Sequence, residues 1–143
     1  MDIKKVKVTE VGPRDGFQSE KTVLKTEDKI SIINDLIVAG FPRIEVSSFV
    51  SPKAIPQLAD AEIILSKVNR SPNTTLAALV PNARGAIRAV EANLDEIVVF
   101  LSASESHNKK NVNRNVDESL IGFREIADIA GKNNIPIQGD IAT

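Results

Sequence analysis

The sequence predicts an α/β fold in which parallel β/α units form the first half of a TIM barrel, strands one to five, with the C-terminal half absent. Strand-like and helix-like apolar patterns alternate at roughly 30 to 40 residues per unit, which is typical of a parallel sheet covered by helices. No Gly-x-Gly-x-x-Gly or Walker motif follows a predicted strand, which disfavours a nucleotide-binding doubly wound sheet. A complete barrel needs about 250 residues, so residues 1–143 are expected to form one partial barrel domain.

The individual elements are predicted from the period of the apolar residues and from the signals at their ends. Strands are expected at residues 6–11, 43–49, 74–80, 96–101 and 135–141. Helices are expected from the cap Thr26 to Gly40, over 55–68, over 82–92 with Asn82 as the cap, and over 116–132. Residues 102–115 are the longest stretch expected to lack regular structure.

The composition excludes several classes of function. Hydrophobic residues make up 42% of the chain and charged residues 26%, as in ordinary soluble proteins. A net charge of -1 without Trp or Tyr gives neither the basic surface nor the stacking platform that nucleic-acid binding uses. With no Cys, this segment holds no disulfide, thiolate metal site or cysteine nucleophile. No apolar run approaches the ~18 residues of a membrane span, and the N-terminus lacks a signal-peptide pattern. We therefore expect a cytoplasmic protein with no membrane or nucleic-acid partner.

Polar side chains gather after the predicted strands, on the carboxyl-terminal face where TIM barrels hold their active sites. They are Glu10, Arg14 and Asp15 after strand one, Glu45 and Ser48 on strand two, Asn82 after strand three, Ser102, Ser104, Glu105 and Asn111 after strand four, and Asp140 on strand five. Convergent carboxylate and amide oxygens suit a hard divalent cation such as Mg²⁺ or Mn²⁺. The tetrapeptide at 13–16 is also typical of an ordinary type I turn.

Glu45 is the candidate that is hardest to explain as a surface residue. It lies between Ile44 and Val46 on a strand that is expected to be buried. An unpaired carboxylate there would cost on the order of several kcal/mol, which a partner such as Arg14 would offset. Glu45 is therefore expected either in a structural ion pair or in a functional site, and we favour the site.

The single histidine is a weaker candidate for a functional residue. His107 lies in a polar segment and is expected to be a solvated surface residue rather than a ligand. Lys109 and Lys110, in the same segment, are most simply a solvated pair of charges. No nucleophile elbow is present, so Ser-His-Asp catalysis is not predicted.

Four segments together closely resemble the hydroxymethylglutaryl-CoA lyase family. They are EVGPRDGFQSEK at 10–21, IEVSSFVSPK at 44–53, VPN at 80–82 and SASESHNKKNVN at 102–113. The Gly-Pro-Arg-Asp-Gly-x-Gln segment is rather specific for this lyase within its superfamily of metal-dependent Claisen-condensing enzymes. The resemblance implies a pyruvate carboxyltransferase-like TIM barrel that cleaves 3-hydroxy-3-methylglutaryl-CoA to acetyl-CoA and acetoacetate, as in leucine degradation.

The resemblance also implies roles for five residues. Asp15 matches the metal-ligating aspartate, with Mg²⁺ or Mn²⁺ as the metal. Arg14 matches the arginine that polarises the substrate carbonyl and stabilises the enolate, and Glu45 matches the glutamate that positions this arginine. Glu10 and Gln18 match polar residues close to the substrate, an acyl-CoA thioester.

Other parts of the family's site are implied to lie on later strands. These are a His-x-His pair and an asparagine that complete the metal ligands, and a glycine-rich loop with a reactive cysteine. We therefore expect this chain to be the N-terminal half of a lyase and to be inactive alone. The alternatives are a non-catalytic half-barrel that assembles with itself, as a homo-oligomer, or with another chain, and a related 2-oxoacid condensing synthase or aldolase.

Overall fold

Five parallel strands form one sheet in the computed structural model, which describes residues 6–143. The strands are β1 (Thr9–Glu10), β2 (Arg43–Ser48), β3 (Thr75–Leu79), β4 (Glu96–Ser102) and β5 (Ile137–Ala142). Their order in the sheet follows their order in the chain, from β1 to β5. A doubly wound sheet would reverse this order at a switch point. The uninterrupted order instead gives a curled half-barrel with its helices outside.

The helices connect successive strands and cover one face of the sheet. They are α1 (Phe17–Ser19), α2 (Thr26–Val38), α3 (Ala61–Lys67), α4 (Ala83–Glu91), α5 (Glu105–Val112) and α6 (Val116–Lys132). A π-helical turn covers Gly12–Gly16 and a 3₁₀ turn covers Pro56–Leu58. None of these helices, within residues 6–143, has the length and apolar character that crossing a membrane requires.

The hydrophobic core lies between the outer face of the sheet and the helices. Residues at alternate positions of the strands, such as Ile44, Leu76 and Ile97, are fully or almost fully buried there. Ile33 of α2 and Ile126 of α6 pack into the same cluster. Because strand side chains alternate between faces, the residues between these apolar positions point to the barrel interior. Those interior positions carry the polar candidates.

Three helices end in the same way before the next strand. Gly40, Asn93 and Asn134 have positive φ values of 85°, 55° and 56°. In each case this residue donates its N–H to a carbonyl three residues back, and the next residue donates to one five residues back. This is the Schellman motif, which favours glycine or asparagine because L-residues with side chains rarely adopt positive φ. The predicted end at Gly40 is thereby confirmed.

Two predicted elements are shorter than expected. The first strand was expected over 6–11, but β1 pairs with β2 only at Thr9 and Glu10, because the chain turns into the π-helical segment at Gly12. The helix expected over 55–68 is divided into the 3₁₀ turn and α3. Asp60 separates the two, and its carboxylate accepts hydrogen bonds from Lys29 and Thr26 instead of capping α3.

Two further predictions about helices were wrong. Thr26 is the first residue of α2 rather than its cap, because its hydroxyl donates to Asp60. Residues 102–115, expected to be irregular, contain α5. The Ser104 hydroxyl caps this helix by accepting the N–H of His107, and Asn113 ends it at a φ of 55°. The predicted cap Asn82 is confirmed, since its side chain accepts the N–H of Gly85 at 2.9 Å.

Candidate active site

The candidate site begins on the interior face of three neighbouring strands. Glu45 of β2 is in register with Ala77 of β3, and Ala77 is in register with Glu96 of β4. Residues in register across parallel strands share a face. Arg43, two residues before Glu45, shares that face as well. Arg43, Glu45 and Glu96 therefore all face the barrel interior.

A β-bulge in β2 sets which residues face the interior near the strand end. The register of β2 against β3 shifts between Glu45 and Ser47. The extra residue turns Ser48 inward, where its hydroxyl donates to the Leu79 carbonyl at 3.3 Å. Bulges of this kind commonly re-aim side chains next to active sites.

The π-helical turn after β1 brings the predicted arginine to the same place. Pro13 lies at its start and is buried, and the Phe17 N–H donates to the Gly12 carbonyl. Single π-helical turns are frequent at functional sites. The segment therefore forms a turn other than the type I turn that its sequence also allowed. Glu10 stabilises the start of this turn, since its Oε1 accepts the Gly12 N–H at 2.6 Å and lies only 2.8 Å from the position that a Cβ on residue 12 would take.

Arg14 is held by two carboxylates of very different exposure. Its Nε donates to Glu45 Oε2 at 2.9 Å, and its Nη1 donates to Asp15 Oδ1 at 2.9 Å. The Glu45 side chain is 3% exposed, that of Arg14 is 20% exposed and that of Asp15 is 64% exposed. The predicted pairing of Glu45 with Arg14 is thus confirmed. The guanidinium is fixed from the protein side and remains accessible from the other.

Arg43 and Glu96, which were not among the predicted site residues, extend the Arg14–Glu45 ion pair. Arg43 is 3% exposed and donates through Nε and Nη2 to Glu96 Oε1, at 2.9 and 2.7 Å. Its Nη1 lies 3.5 Å from Glu45 Oε1. Asp15, Arg14, Glu45, Arg43 and Glu96 therefore form a row of charges of alternating sign. The signal that could have revealed it is an arginine and a glutamate two residues apart on one buried strand.

Several other predicted residues serve local structure. Ser104 and Asn82 cap α5 and α4, and Glu105 accepts the backbone N–H of Val116. Asp140 accepts from Gln138 at 2.8 Å on the partly exposed strand β5. These groups do not join Arg14.

Asn111 and the helix α5 stand apart from the arginine as well. Asn111 and Asn82 line a cavity of about 390 Å³ at the carboxyl ends of β2, β3 and β4. Asn108 fixes α5, because its amide joins the N–H of Ser102, the carbonyl of Arg114 and the hydroxyl of Ser119. No sequence pattern marked this fully buried asparagine.

His107 is exposed, as expected, but it has a partner. Its Nδ1 lies 2.9 Å from the hydroxyl of Ser102, a buried residue at the end of β4. Lys109 and Lys110 are exposed on the last turn of α5. Gln18 is half-buried on α1, next to the π-helical turn.

The described residues, 6–143, contain no group of three or more His, Asp or Glu side chains that could hold a metal ion. Asp15 alone has the chemistry and exposure of a cation ligand in this arrangement, since it is a hard oxygen donor at the open end of the charge row. Its chemistry fits a divalent cation, but one carboxylate is fewer donors than such a cation takes in proteins.

Comparison with known proteins gives one consistent result. The HMGL-like family matches residues 5–141. Hydroxymethylglutaryl-CoA lyase YngG of Bacillus subtilis is 46% identical over 140 residues, which cover 98% of this chain and 47% of that protein. The crystal structure of the Bacillus subtilis HMG-CoA lyase has a TM-score of 0.94 at 45% identity, with 97% of this chain and 47% of that chain covered. The HMG-CoA lyase of Acinetobacter baumannii, solved with coenzyme A and 3-methylmalate, has a TM-score of 0.90 at 44% identity, with 94% of this chain and 44% of that chain covered.

The extent of these matches defines what the chain represents. It spans less than half the length of these curated relatives, from 29% of the Arabidopsis thaliana protein to 47% of the Bacillus subtilis protein. The names of curated relatives place some in mitochondria and others in the cytoplasm. The predicted fold, the first five strands of a TIM barrel, is confirmed by the strand order and by the solved structures. The chain belongs to the HMGL-like family.

Proposed function

We propose that the whole protein is a carbon–carbon lyase that cleaves 3-hydroxy-3-methylglutaryl-CoA to acetyl-CoA and acetoacetate. The observation that carries this proposal is the state of Arg14, which is hydrogen-bonded to the buried Glu45 and remains accessible at the carboxyl end of the sheet. The chain that presents it is 46% identical to a hydroxymethylglutaryl-CoA lyase. An acyl-CoA thioester is the proposed partner, in line with the coenzyme A in the Acinetobacter structure. Residues 1–143 would then be part of one TIM-barrel domain of a cytoplasmic protein, which is either a monomer or a homo-oligomer.

The proposed reaction breaks the bond between C2 and C3 of the acyl chain. The C3 hydroxyl loses its proton, and the O–H electron pair forms the C=O bond of acetoacetate. The electron pair of the C2–C3 bond passes to C2 and the thioester oxygen as an enolate, which takes up a proton at C2 to give acetyl-CoA. The oxygen of the resulting acetyl-CoA enolate is where negative charge develops. A fixed guanidinium there stabilises the transition state more than the ground state. Arg14 is the residue that we assign to this role.

Glu45 holds the guanidinium of Arg14 in the position that this role requires. An arginine side chain has several rotatable bonds, and holding it in one position removes the cost of ordering it during the reaction. The buried carboxylate of Glu45 fixes Nε and the exposed Asp15 binds Nη1, so that Nη2 is the nitrogen without a partner among the described residues. Glu10 and Gln18, on either side of the π-helical turn, are proposed to contact the substrate.

Asp15 is the residue of this chain that we propose as a metal ligand. Its exposed carboxylate would hold a divalent cation, Mg²⁺ or Mn²⁺, together with ligands from outside the described residues. Such a cation, when bound, lowers the pKa of a coordinated hydroxyl and so assists removal of its proton.

The test is acetoacetate release from 3-hydroxy-3-methylglutaryl-CoA by the full-length protein, with and without Mg²⁺ or Mn²⁺. Arg14→Lys keeps the charge but replaces the planar fork, which binds Glu45 through Nε and Asp15 through Nη1, by a single nitrogen on a flexible stem. We expect it to lower kcat about 100- to 1,000-fold, the usual effect of losing one such donor. Arg88→Lys, in an ion pair with Glu62 away from this site, is the control and should keep kcat. If the wild type releases no acetoacetate but condenses a 2-oxoacid with acetyl-CoA, the protein is a synthase and the proposed lyase function is wrong.

A further inference from the structure

Arg43 is the most completely held charged side chain on the interior face. It is 3% exposed, and each of its three guanidinium nitrogens has a partner. Two nitrogens donate to Glu96 of β4, and the third lies 3.3 Å from the Thr9 hydroxyl of β1 and 3.5 Å from Glu45. One side chain on β2 thus contacts β1 and β4. A buried arginine with partners on several strands has very little freedom to move.

A small residue on the intervening strand makes this reach across the sheet feasible. Arg43 lies on β2 and Glu96 on β4, with β3 between them. The β3 residue in register with Glu96 is Ala77, whose side chain is fully buried and ends at Cβ. Because residue 77 faces the interior between β2 and β4, its short side chain leaves space there for the side chain of Arg43. A larger side chain at position 77 would occupy the same space.

Arg43 is connected to Arg14 through the carboxylate of Glu45. Glu45 has two carboxylate oxygens, and each is taken by a different arginine: Oε2 by Arg14 at 2.9 Å and Oε1 by Arg43 at 3.5 Å. The longer contact is the weaker one, but it comes from a group that is anchored independently by Glu96. Oε1 is therefore held inward, which turns Oε2 toward Arg14.

We propose that Arg43 is a positioning residue for the lyase reaction, which sets the orientation of Glu45 and through it the place of Arg14. This inference rests on the proposed function. Arg43 itself is buried beneath Glu45 and does not reach the substrate. Its removal would leave Glu45 free to rotate, and Arg14 would lose its fixed direction while keeping its charge.

The experiment measures kcat and KM of the full-length protein with Arg43→Lys, alone and combined with Glu45→Gln. Lysine keeps the charge but cannot bind Glu96 through two nitrogens and Glu45 through a third. We expect kcat to fall about 10- to 100-fold, the scale of a displacement near 1 Å at a reacting group, with KM within about twofold. In the Glu45→Gln background the same change should lower kcat less than about twofold, because the path through Glu45 is already broken.

A matched control separates positioning from a loss of stability. Lys29 is 1% exposed, and its ammonium group binds Asp60 and the Gln57 carbonyl, neither of which belongs to the row of charges that holds Arg14. Lys29→Met destabilises the fold but should leave kcat within about twofold. Glu96→Gln is the second variant, since it disturbs Arg43 without removing it, and should lower kcat in the same direction as Arg43→Lys.

A second readout does not depend on activity. In protein labelled with ¹⁵N-arginine, the Nε–H signal of Arg14, assigned with Arg14→Lys, reports its bond to Glu45. Arg43→Lys should shift or broaden that signal, and Lys29→Met should not. If the wild type shows no lyase activity, the proposed function fails and this signal alone decides on the positioning contact. An unchanged signal, an unchanged kcat in an active protein, or an equal loss of kcat in the Glu45→Gln background would each overturn the inference.

Discussion

Replacing Glu45 by glutamine should be far more costly than the same replacement at Glu62. Both glutamates accept the Nε–H of an arginine, Glu45 from Arg14 at 2.9 Å and Glu62 from Arg88 at 2.6 Å. They differ in burial, since the Glu45 side chain is 3% exposed and that of Glu62 is 40% exposed. The two sites share the Nε–carboxylate bond and differ in burial and in a second arginine, Arg43, which contacts Glu45 alone.

The magnitude follows from how many acceptors an amide retains. A glutamine at position 45 has one oxygen, which would turn to Arg14, so that its NH₂ group would face Arg43 Nη1, now 3.5 Å from Oε1. A hydrogen bond to a charged group contributes about 1.5 to 3 kcal/mol, and a buried polar group left unsatisfied costs about 1 to 3 kcal/mol. We expect Glu45→Gln to lower the free energy of unfolding by about 2 to 3 kcal/mol. Exposed pairs contribute about 0 to 1 kcal/mol, which is the expected loss for Glu62→Gln.

Denaturant unfolding of the full-length protein and the two variants, followed by circular dichroism, measures both losses. Lyase activity of the folded variants adds an independent comparison, because only Glu45→Gln should lower kcat. Equal losses of stability for the two variants would contradict the assignment of Glu45 as a buried carboxylate between two arginines.

Three further outcomes test other parts of the fold. Burial acts to raise the pKa of Glu62, but the hydrogen bond from Arg88, a hydrogen bond from the Glu62 backbone and the charge of Arg88 together lower it from 4.5. Arg88→Met should therefore remove up to about 1 kcal/mol of stability after solvent screening, a contribution that is present above pH 4.5 and is lost as the pH falls through the lowered pKa. A loss that persists in acid would refute this. Ser47→Ala should raise the free energy of unfolding by about 1 kcal/mol, because the buried hydroxyl has no partner among the described residues. Destabilisation measured by calorimetry would indicate that the hydroxyl has a partner. Lys29→Met should lower the free energy of unfolding by about 3 kcal/mol, because it leaves the charge of Asp60 unpaired. No change in urea unfolding would show that Asp60 is solvated.

The order of the β/α units and the Arg14–Glu45 pair could be predicted because each has a local signal. Apolar periodicity gives the units, and a carboxylate inside an apolar strand requires a cation. The Arg43–Glu96 pair joins residues 53 apart in sequence and depends on the register across β3. The spacing of Arg43 and Glu45 on one strand marks Arg43 as a buried charge, but no local pattern identifies Glu96 as its partner.

The helix α5 was missed for a different reason. Its single buried residue is Asn108, which is held by three hydrogen bonds rather than by apolar packing. A helix of this kind has no apolar period to detect. The local signs of its start are the cap Ser104 and the acidic Glu105 in its first turn, both of which are also candidate site residues by sequence.

The shared helix ends at Gly40, Asn93 and Asn134 make the chain modular in a way that protein engineering can use. Each of these residues completes the same backbone path, so the turn itself fixes where the next strand begins and which of its side chains face inward. Chimeras with a family relative joined at these three points should keep the alignment of both parents. The connection after α3 is different, since Val68 leaves the helix in an extended conformation and a longer segment leads to Thr75. A junction there would have no such guide, and strand β3 would be free to slip.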